Sequence, residues 1–373
     1  MIRHAVLFLL LLLLSFEGGC RRAVTVPPHT PVQFTDSILL PATAVKNQAK
    51  SGTCWAFGGI SLLESDLLRD LSSDHDLSAG SEIDLSEMWL VRQAYYEKAV
   101  RYVRTRGYGD FSQGGELHDA LRLAGRYGVV PQSVYEGNSS DGRYDHAALA
   151  RAVHRCARQI VNRKRYLNAD WQQLIQKLLD EELGPCPERF CMNGIEYTPR
   201  SYADSLGIRA DHYVSFTSFL HHPFYTSFAL ELADNWMGEP SVNIPLDRLT
   251  DVLDYALGRG YTVGWCGNTA DRGFHRQYGI AGVGKGEICT EQSRQRAFDT
   301  QALRDAHVLH IVGIARRGDG RIFYKAKNSW GAANLRGGYI YLSENYLRKN
   351  TVELVVNRNA VRPGLLEKCD LTE

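Results

Sequence analysis

Residues 48–57 read Gln-Ala-Lys-Ser-Gly-Thr-Cys-Trp-Ala-Phe, which places Cys54 directly after a glycine-containing turn. Beyond this cysteine, apolar side chains recur with the spacing of an amphipathic helix, at Phe57, Ile60, Leu63 and Leu67. The pattern predicts a helix over about 54–69, with Cys54 in its first turn. The partial positive charge at a helix N-terminus favours a thiolate over a thiol, so this position indicates a nucleophile. A buried structural cysteine, the alternative, is expected on the apolar face farther along the helix.

Two later segments supply candidate partners for such a nucleophile. Residues 306–313 read Ala-His-Val-Leu-His-Ile-Val-Gly, and residues 327–331 read Lys-Asn-Ser-Trp-Gly. A cysteine nucleophile needs a base within hydrogen-bond reach, and the base needs a group that orients it. His307 and Asn328 lie at predicted strand boundaries and are candidates for these roles. A structural histidine and a turn asparagine are the alternatives.

Helical and strand-like patterns occupy different parts of the chain. Helical spacing predicts further helices over residues 84–103, 116–127, 145–162, 170–183, 199–206 and 246–257. The first of these is expected to open at Asp84, with Glu87 in the capping-box position. Alternating, β-branched stretches predict strands over residues 32–40, 261–265, 308–315, 322–326, 339–342 and 351–356. The chain is therefore expected to have an α+β fold of two packed halves with a cleft between them.

The balance of charge and the missing metal-binding motifs argue against nucleic-acid binding and against a metal site. Of 373 residues, 43 are basic and 42 acidic, a balance that gives no electrostatic reason to bind nucleic acid. The sequence contains no CxxC pair and no HExxH helix, so we expect no metal site.

Residues 1–20 have the layout of an export signal. Arg3 and His4 precede an apolar run of about ten residues that ends near Ser15, whereas a membrane-spanning helix needs about 20. Gly18-Gly19-Cys20 also resembles a bacterial lipobox, which would make Cys20 a lipidated first residue; cleavage nearby without lipid is the alternative. The expectation is an exported protein that is periplasmic, outer-membrane-anchored or extracellular in a bacterium.

Export would permit disulfides. Apart from Cys20 and Cys54, six cysteines remain, and the sequence leaves their pairing open: Cys156, Cys186, Cys191, Cys266, Cys289 and Cys369. Cys186 and Cys191 flank a short proline-containing loop and are the first pair to test.

The segments around Cys54, His307 and Asn328 together resemble the papain-like cysteine peptidases. That family has a Cys-Gly-[Ser/Ala]-Cys-[Trp/Tyr] signature near the mature N-terminus, with histidine and asparagine about 130–150 residues downstream. The equivalent here is residues 51–55, where Ser51 replaces the family's first cysteine. His307 lies much farther downstream than in papain, and the excess can be held by the helices between about residues 70 and 245.

This insertion resembles the bleomycin hydrolase and aminopeptidase C branch, in particular the secreted bacterial aminopeptidase C-like proteins. The resembling stretches are residues 84–88, 111–115, 127–131 and 221–225, and the likeness runs over about 45–361. It implies a papain-like peptidase domain over 21–373 after the signal peptide. Within that domain we expect a helical insertion over about 70–245, a strand-rich, antiparallel β-barrel-like half over about 258–361, and a tail over 362–373.

The resemblance implies a role for each residue of the site. Cys54 would be the nucleophile, His307 the base and Asn328 the group that orients His307. Trp330 would shield the bond between His307 and Asn328 from water. The side chain of Gln48 and the backbone N–H of Cys54 would bind the oxyanion.

Gly114 and Gly115 resemble the pair whose backbone meets the substrate main chain, because a residue without Cβ permits close approach. A plain turn before the next helix is the alternative.

The activity implied is hydrolysis of peptide bonds through a thioester, with peptides as substrates and no metal or organic cofactor. Enzymes of the resembling branch act mainly as aminopeptidases, often as hexamers, and their C-terminal arm lies in the cleft, where its carboxylate can meet the substrate's amine. The tail here carries Cys369, Asp370 and Glu373. We therefore expect an aminopeptidase, with three alternatives: a papain-like endopeptidase, a non-catalytic peptide-binding homologue, and another Cys-His hydrolase or acyltransferase such as a cell-wall amidase.

Overall fold

The computed structural model describes residues 32–73, 83–109, 111–138, 143–163, 167, 170–284 and 286–372. The predicted export signal and Cys20 lie outside these residues. From Phe34 onward the chain forms one structural unit that contains both helices and strands, which confirms the α+β class.

Ten helices lie in the described part of the chain: α1 Cys54–Ser73, α2 Glu87–Arg104, α3 Leu117–Tyr127, α4 Ala147–Asn162, α5 Asp170–Leu183, α6 Pro199–Ser205, α7 Leu246–Gly258, α8 Glu291–Asp299, α9 Glu344–Asn350 and α10 Pro363–Lys368.

The strands within the same residues are β1 Phe34–Leu39, β2 Phe190–Met192, β3 Ile195–Tyr197, β4 Tyr213–Thr217, β5 Ser227–Ala229, β6 Pro240–Asn243, β7 Val263–Gly267, β8 Phe274–His275, β9 Ile280–Ala281, β10 His307–Arg317, β11 Ile322–Lys327, β12 Tyr339–Ser343 and β13 Thr351–Asn357. The main sheet is open and runs in the order β5-β6-β4-β13-β7-β10-β11-β12-β9-β8, with β1 paired to β10. All pairs in it are antiparallel except β4 with β6 and β9 with β12.

The sheet separates two apolar cores because successive strand residues point to opposite faces. On β10, Val308 belongs to the core formed with helices α1–α5, whereas Leu309 and Ile311 belong to the core formed with α7 and α9. On β13 the same alternation sends Val355 to the first core and Leu354 to the second. We call these the helix-side core and the strand-side core.

Capping residues determine where helices α2 and α3 begin, and the start of α2 differs from the expected one. Helix α3 begins after a capping box made by Glu116 and Asp119. Helix α2 does not open at Asp84 as expected, because Ser86 is its N-cap and accepts from the backbone of Trp89. The carboxylate of Asp84 instead forms an ion pair with Lys46 at 2.6 Å.

The segment over about 70–245 is not purely helical. It contains strands β2–β6, and β4, β5 and β6 extend the main sheet beyond β13. The insertion therefore shares the sheet of the strand-rich half.

The C-terminal tail packs on the strand-side core. Leu365 and Leu366 on α10 contact this core and Cys369 is buried in it. The Lys368 ammonium lies 3.9 Å from the centroid of the Tyr225 ring. The tail up to residue 372 is thus a docked helical segment, and Glu373 lies outside the described residues.

The seven cysteines in the described ranges are unpaired, so the suggested bridge between Cys186 and Cys191 is absent from this structure. Within the same ranges, no helix combines the length and apolar character needed to cross a bilayer.

Candidate active site

Close packing of α1 on β10 sets the position of Cys54. A Cβ on Gly58 would lie 2.3 Å from Cγ1 of Val308, so only glycine lets the helix approach the strand this closely. Cys54 is the first residue of α1, and its sulfur accepts a hydrogen bond from the backbone N–H of Val308. Cys54 therefore lies beside the residue that follows His307.

Backbone bonds hold the turn before Cys54 against the segment that contains Asn328. The N–H of Gln48 donates to the carbonyl of Ser329 at 2.8 Å, and the N–H of Gly331 donates to the carbonyl of Lys46 at 3.1 Å. Ser51, which stands where the resembling family has a cysteine, donates from its hydroxyl to the carbonyl of Gln48 at 2.7 Å. The segment before Cys54 and the segment after Asn328 are thus joined by backbone hydrogen bonds.

His307 and Asn328 form the predicted pair. Nε2 of His307 lies 2.7 Å from Oδ1 of Asn328, and the same oxygen accepts from the N–H of Ser329 at 2.7 Å. An amide oxygen can only accept, so Nε2 carries the proton in the neutral ring. Nδ1 is then the basic nitrogen of His307.

Trp330 covers the imidazole as the resemblance implied. The rings of His307 and Trp330 stack with centroids 4.1 Å apart and planes inclined by 23°. On Trp330 in turn lies the guanidinium of Arg276, 4.3 Å from the ring centroid. His307 is buried, which protects its bond to Asn328 from water.

Burial governs the ionisation of both reacting groups. It raises the pKa of the Cys54 thiol to about 11; the Val308 N–H opposes this rise and the charge of Asp234 adds to it. Burial lowers the pKa of His307 to about 4, with the bond to Asn328 opposing and the charge of Arg276 reinforcing the shift. The resting cysteine is therefore a thiol, contrary to the expectation from its helix position, because burial outweighs the helix-terminal N–H groups.

These pKa shifts predict a broad pH profile for kcat/KM. In the active form the Cys54 thiol keeps its proton and Nδ1 of His307 is free to accept it. Activity should therefore fall only as Nδ1 of His307 is protonated from solvent, near pH 4, instead of near the ordinary pKa of about 6.5. We expect kcat/KM at pH 5.5 to equal that at pH 7, with circular dichroism confirming a folded protein at each pH. Arg276→Gln removes a charge that lowers the pKa of His307, so the acidic limb should move to higher pH. An acidic limb centred near 6.5 in the unaltered enzyme would contradict this account.

Two hydrogen bonds fix the side-chain amide of Gln48. Its Oε1 accepts from the hydroxyl of Ser329 at 2.6 Å, which fixes the amide orientation, and its Nε2 donates to the carbonyl of Ser51 at 2.7 Å. An amide nitrogen has two hydrogens, so one remains for an oxyanion. The backbone N–H of Cys54 lies in the first turn of α1, where such groups have no acceptor within the helix.

Gln48→Ala is expected to lower kcat by about 10²–10³-fold with a smaller effect on KM, as when other oxyanion donors are removed. Gln113→Ala is the matched control, because Gln113 fastens the same turn by accepting from the N–H of Gly52 at 2.8 Å. The control should lose far less activity. A change confined to KM would make Gln48 a binding residue instead.

The glycine pair lies next to the start of α1. Gly115 packs on the indole of Trp55, where an added Cβ would lie 3.1 Å from Cδ2. The indole N–H of Trp55 donates to the carbonyl of Gln113 at 3.1 Å. The structure thus brings Gly114 and Gly115 to the start of α1, together with the other predicted site residues.

Sequence reasoning missed three neighbours of the site. Ser329 holds Gln48 and lies inside the Asn-Ser-Trp-Gly stretch, so that motif could have drawn attention to it. Arg276 and Asp234 alter the pKa values of His307 and Cys54, yet no local pattern marks either residue.

One group of side chains in the described residues has the arrangement of metal ligands. Ligand atoms of His221, His222 and Glu231 all lie within 4.8 Å of one another. Both imidazoles contact the Glu231 carboxylate, at 3.1 and 2.8 Å. No HExxH-type pattern marks this group in the sequence, and the chemistry of Cys54 and His307 does not require it.

The fold and the assembled cysteine, histidine and asparagine define a cysteine-type peptidase. The chain belongs to the Peptidase C1-like family, whose model matches residues 28–372.

Curated relatives match most of the chain. Aminopeptidase C of Streptococcus thermophilus is 26% identical over 372 residues, covering 87% of this chain and 83% of its own. Aminopeptidase G of Lactobacillus delbrueckii subsp. lactis is 25% identical over 368 residues, covering 86% and 82%. Among solved structures, PepW from Lactobacillus rhamnosis superposes with a TM-score of 0.69 at 19% identity, covering 90% of this chain and 84% of that one. The superposition confirms the papain-like fold.

Proposed function

We propose that this protein is an aminopeptidase that removes N-terminal residues from peptides through a thioester on Cys54. The observation that carries the proposal is the assembly of Cys54, His307, Asn328 and Gln48 at one site. It occurs in a chain whose curated relatives, matched over most of their length, are named aminopeptidases.

The first chemical step uses the resting thiol. As substrate binds, the Cys54 proton passes to Nδ1 of His307, and the sulfur attacks the carbonyl carbon of the scissile bond. The carbonyl π electrons move to oxygen, and the negative oxygen is bound by Nε2 of Gln48 and the N–H of Cys54. Asn328 keeps the imidazolium in place through Nε2.

The remaining steps return the enzyme to its starting state. The oxyanion collapses, the C–N bond breaks, and His307 gives its proton to the departing amine. A water then attacks the thioester with His307 as its base, and the C–S bond breaks to release the acid and restore the thiol.

Matched fluorogenic substrates test the proposal. The enzyme should hydrolyse aminoacyl-coumarin substrates with a free amine much faster than their N-acetylated counterparts. An internally quenched peptide blocked at both ends tests the endopeptidase alternative. The docked tail supports this alternative, because it packs on the strand-side core, whereas the arm of the resembling aminopeptidases is expected in the cleft. Internal cleavage at a comparable kcat/KM would overturn the aminopeptidase proposal, and no turnover of any substrate would favour a peptide-binding homologue.

We also propose that the protein is exported. The basic and apolar layout of residues 1–20 supports this, and Cys20 is the candidate site for a lipid anchor. Intact-mass analysis of the native protein tests both points. A chain that begins at Met1 would refute export, and a mature start at Cys20 without added acyl mass would refute lipidation.

The resemblance to a branch that forms hexamers supports a homo-oligomer. Sedimentation velocity of the purified protein would measure its assembly, and a monomer at micromolar concentration would refute it.

A further inference from the structure

The carboxylate of Asp234 lies directly against Gly114. A Cβ built on Gly114 would lie 2.0 Å from Oδ2 and 2.4 Å from Oδ1 of Asp234, so the carboxylate occupies the space where any other side chain would begin. The hydroxyl of Ser112 donates to Oδ1 at 2.8 Å and accepts from the N–H of Gly114 at 3.1 Å. The acid thus sits on the glycine pair that is expected to meet the substrate main chain.

The segment that bears Asp234 is anchored in the protein interior. The next residue, Asn235, is buried, and its Nδ2 donates to the carbonyls of Leu230 and Glu239 at 3.2 and 3.1 Å. Its Oδ1 lies 3.1 Å from Nε2 of His118, whose Nδ1 is 2.7 Å from Glu353. Asp234 itself is half-buried, so it combines a fixed position with access to solvent.

The glycine loop under Asp234 is fixed from its other side. Nζ of the buried Lys98 donates to the carbonyls of Ser112 and Gly114 at 2.9 and 2.7 Å. These two bonds tie the carbonyls of the loop to a buried side chain on α2.

Asp234 is also close to the nucleophile. Its negative charge contributes to the raised pKa of Cys54, and Gly115 packs on Trp55, the residue after Cys54. At the glycine pair Asp234 supplies a negative charge and the Lys98 ammonium a positive one, and Arg276 adds a second positive charge over Trp330.

We propose that Asp234 binds the α-ammonium group of the substrate and thereby makes a free N-terminus a requirement for cleavage. The inference rests on the proposed aminopeptidase function. A peptide held along Gly114 and Gly115, with its carbonyl at Cys54, directs its amino end toward this carboxylate. A substrate with a free ammonium gains a charge-assisted hydrogen bond to Asp234. A substrate that has further residues before this position would clash with the Asp234 side chain.

The docked tail gives this role added weight. In this structure Leu365, Leu366 and Leu371 of the tail pack on the strand-side core, with Lys368 over Tyr225. Asp234, a side chain within the fold, would thus supply the carboxylate that the resemblance implies for the tail.

Asp234→Asn is the central test. Asparagine keeps an oxygen that accepts from Ser112 and removes the charge alone. Aminoacyl- and dipeptidyl-coumarin substrates are compared with free and acetylated N-termini, and the better free substrate is carried forward. We expect kcat/KM for this substrate to fall by about 10- to 100-fold, as for loss of a hydrogen bond to a charged group, while the acetylated substrate loses nothing. The fall should come mainly from KM.

Asp204→Asn removes the same charge from an exposed position on α6 and should leave the preference for a free amine unchanged. If the unaltered enzyme prefers free substrates and Asp234→Asn keeps the whole preference, Asp234 does not bind the ammonium, and the aminopeptidase proposal survives. If the unaltered enzyme shows no preference, the aminopeptidase proposal itself fails. Equal losses on free and acetylated substrates would show a structural role and overturn the inference.

Discussion

Replacing Cys54 with alanine is expected to abolish peptide hydrolysis, lowering kcat by about 10⁴-fold or more, as when the nucleophile of a covalent mechanism is removed. The reason is chemical, because no other group at the site can form the thioester. The variant should fold normally, since alanine is smaller than cysteine and suits the first turn of α1. Steady-state kinetics on a free aminoacyl substrate measures the loss, and thermal unfolding checks the fold.

Covalent labelling gives a second readout for Cys54. An epoxysuccinyl thiol reagent should add one equivalent to the unaltered protein and none to Cys54→Ala. Cys156→Ala is the matched control, because Cys156 is half-buried on α4 and burial raises its pKa too. This control should keep both activity and labelling. Labelling that persists in Cys54→Ala at another cysteine would assign the nucleophile elsewhere.

The parts of the fold that could be predicted from sequence depend on local signals. Helix α3 could be predicted closely because its helical spacing runs up to Gly128, the residue that follows its last turn. Strands β10 and β11 could be predicted because two alternating stretches lie on either side of a glycine-containing turn. Strands β5 and β6 could not be predicted, since at three and four residues they are too short to show an alternating pattern.

The same distinction holds for the site. Cys54, His307 and Asn328 were predicted because each lies in a motif whose residues are contiguous. Asp234 reaches the site only through the insertion, and a lone acid between β5 and β6 has no pattern that marks it. The pKa of Cys54 was predicted in the wrong direction, because the helix terminus is visible in the sequence and burial is not.

The second large effect is expected at His307. His307→Ala should lower kcat by about 10³-fold or more, because the thiol has a raised pKa and needs this base to lose its proton. The enzyme would also lose the acid that protonates the departing amine. Since both losses act on the chemical step, KM should change little by comparison.

His310 provides the matched control for His307. The two residues lie three positions apart on β10, so their side chains face opposite sides of the sheet. Nδ1 of His310 is 2.8 Å from the hydroxyl of Ser61, in a buried network where Nζ of Lys327 donates to the same hydroxyl at 2.8 Å. His310→Gln retains a polar group for Ser61 and should keep kcat within about tenfold, with any cost appearing as a lower unfolding temperature. If His310→Gln lost more activity than His307→Ala while remaining folded, the base would be His310. The hydrogen bond between His307 and Asn328 would then not serve catalysis.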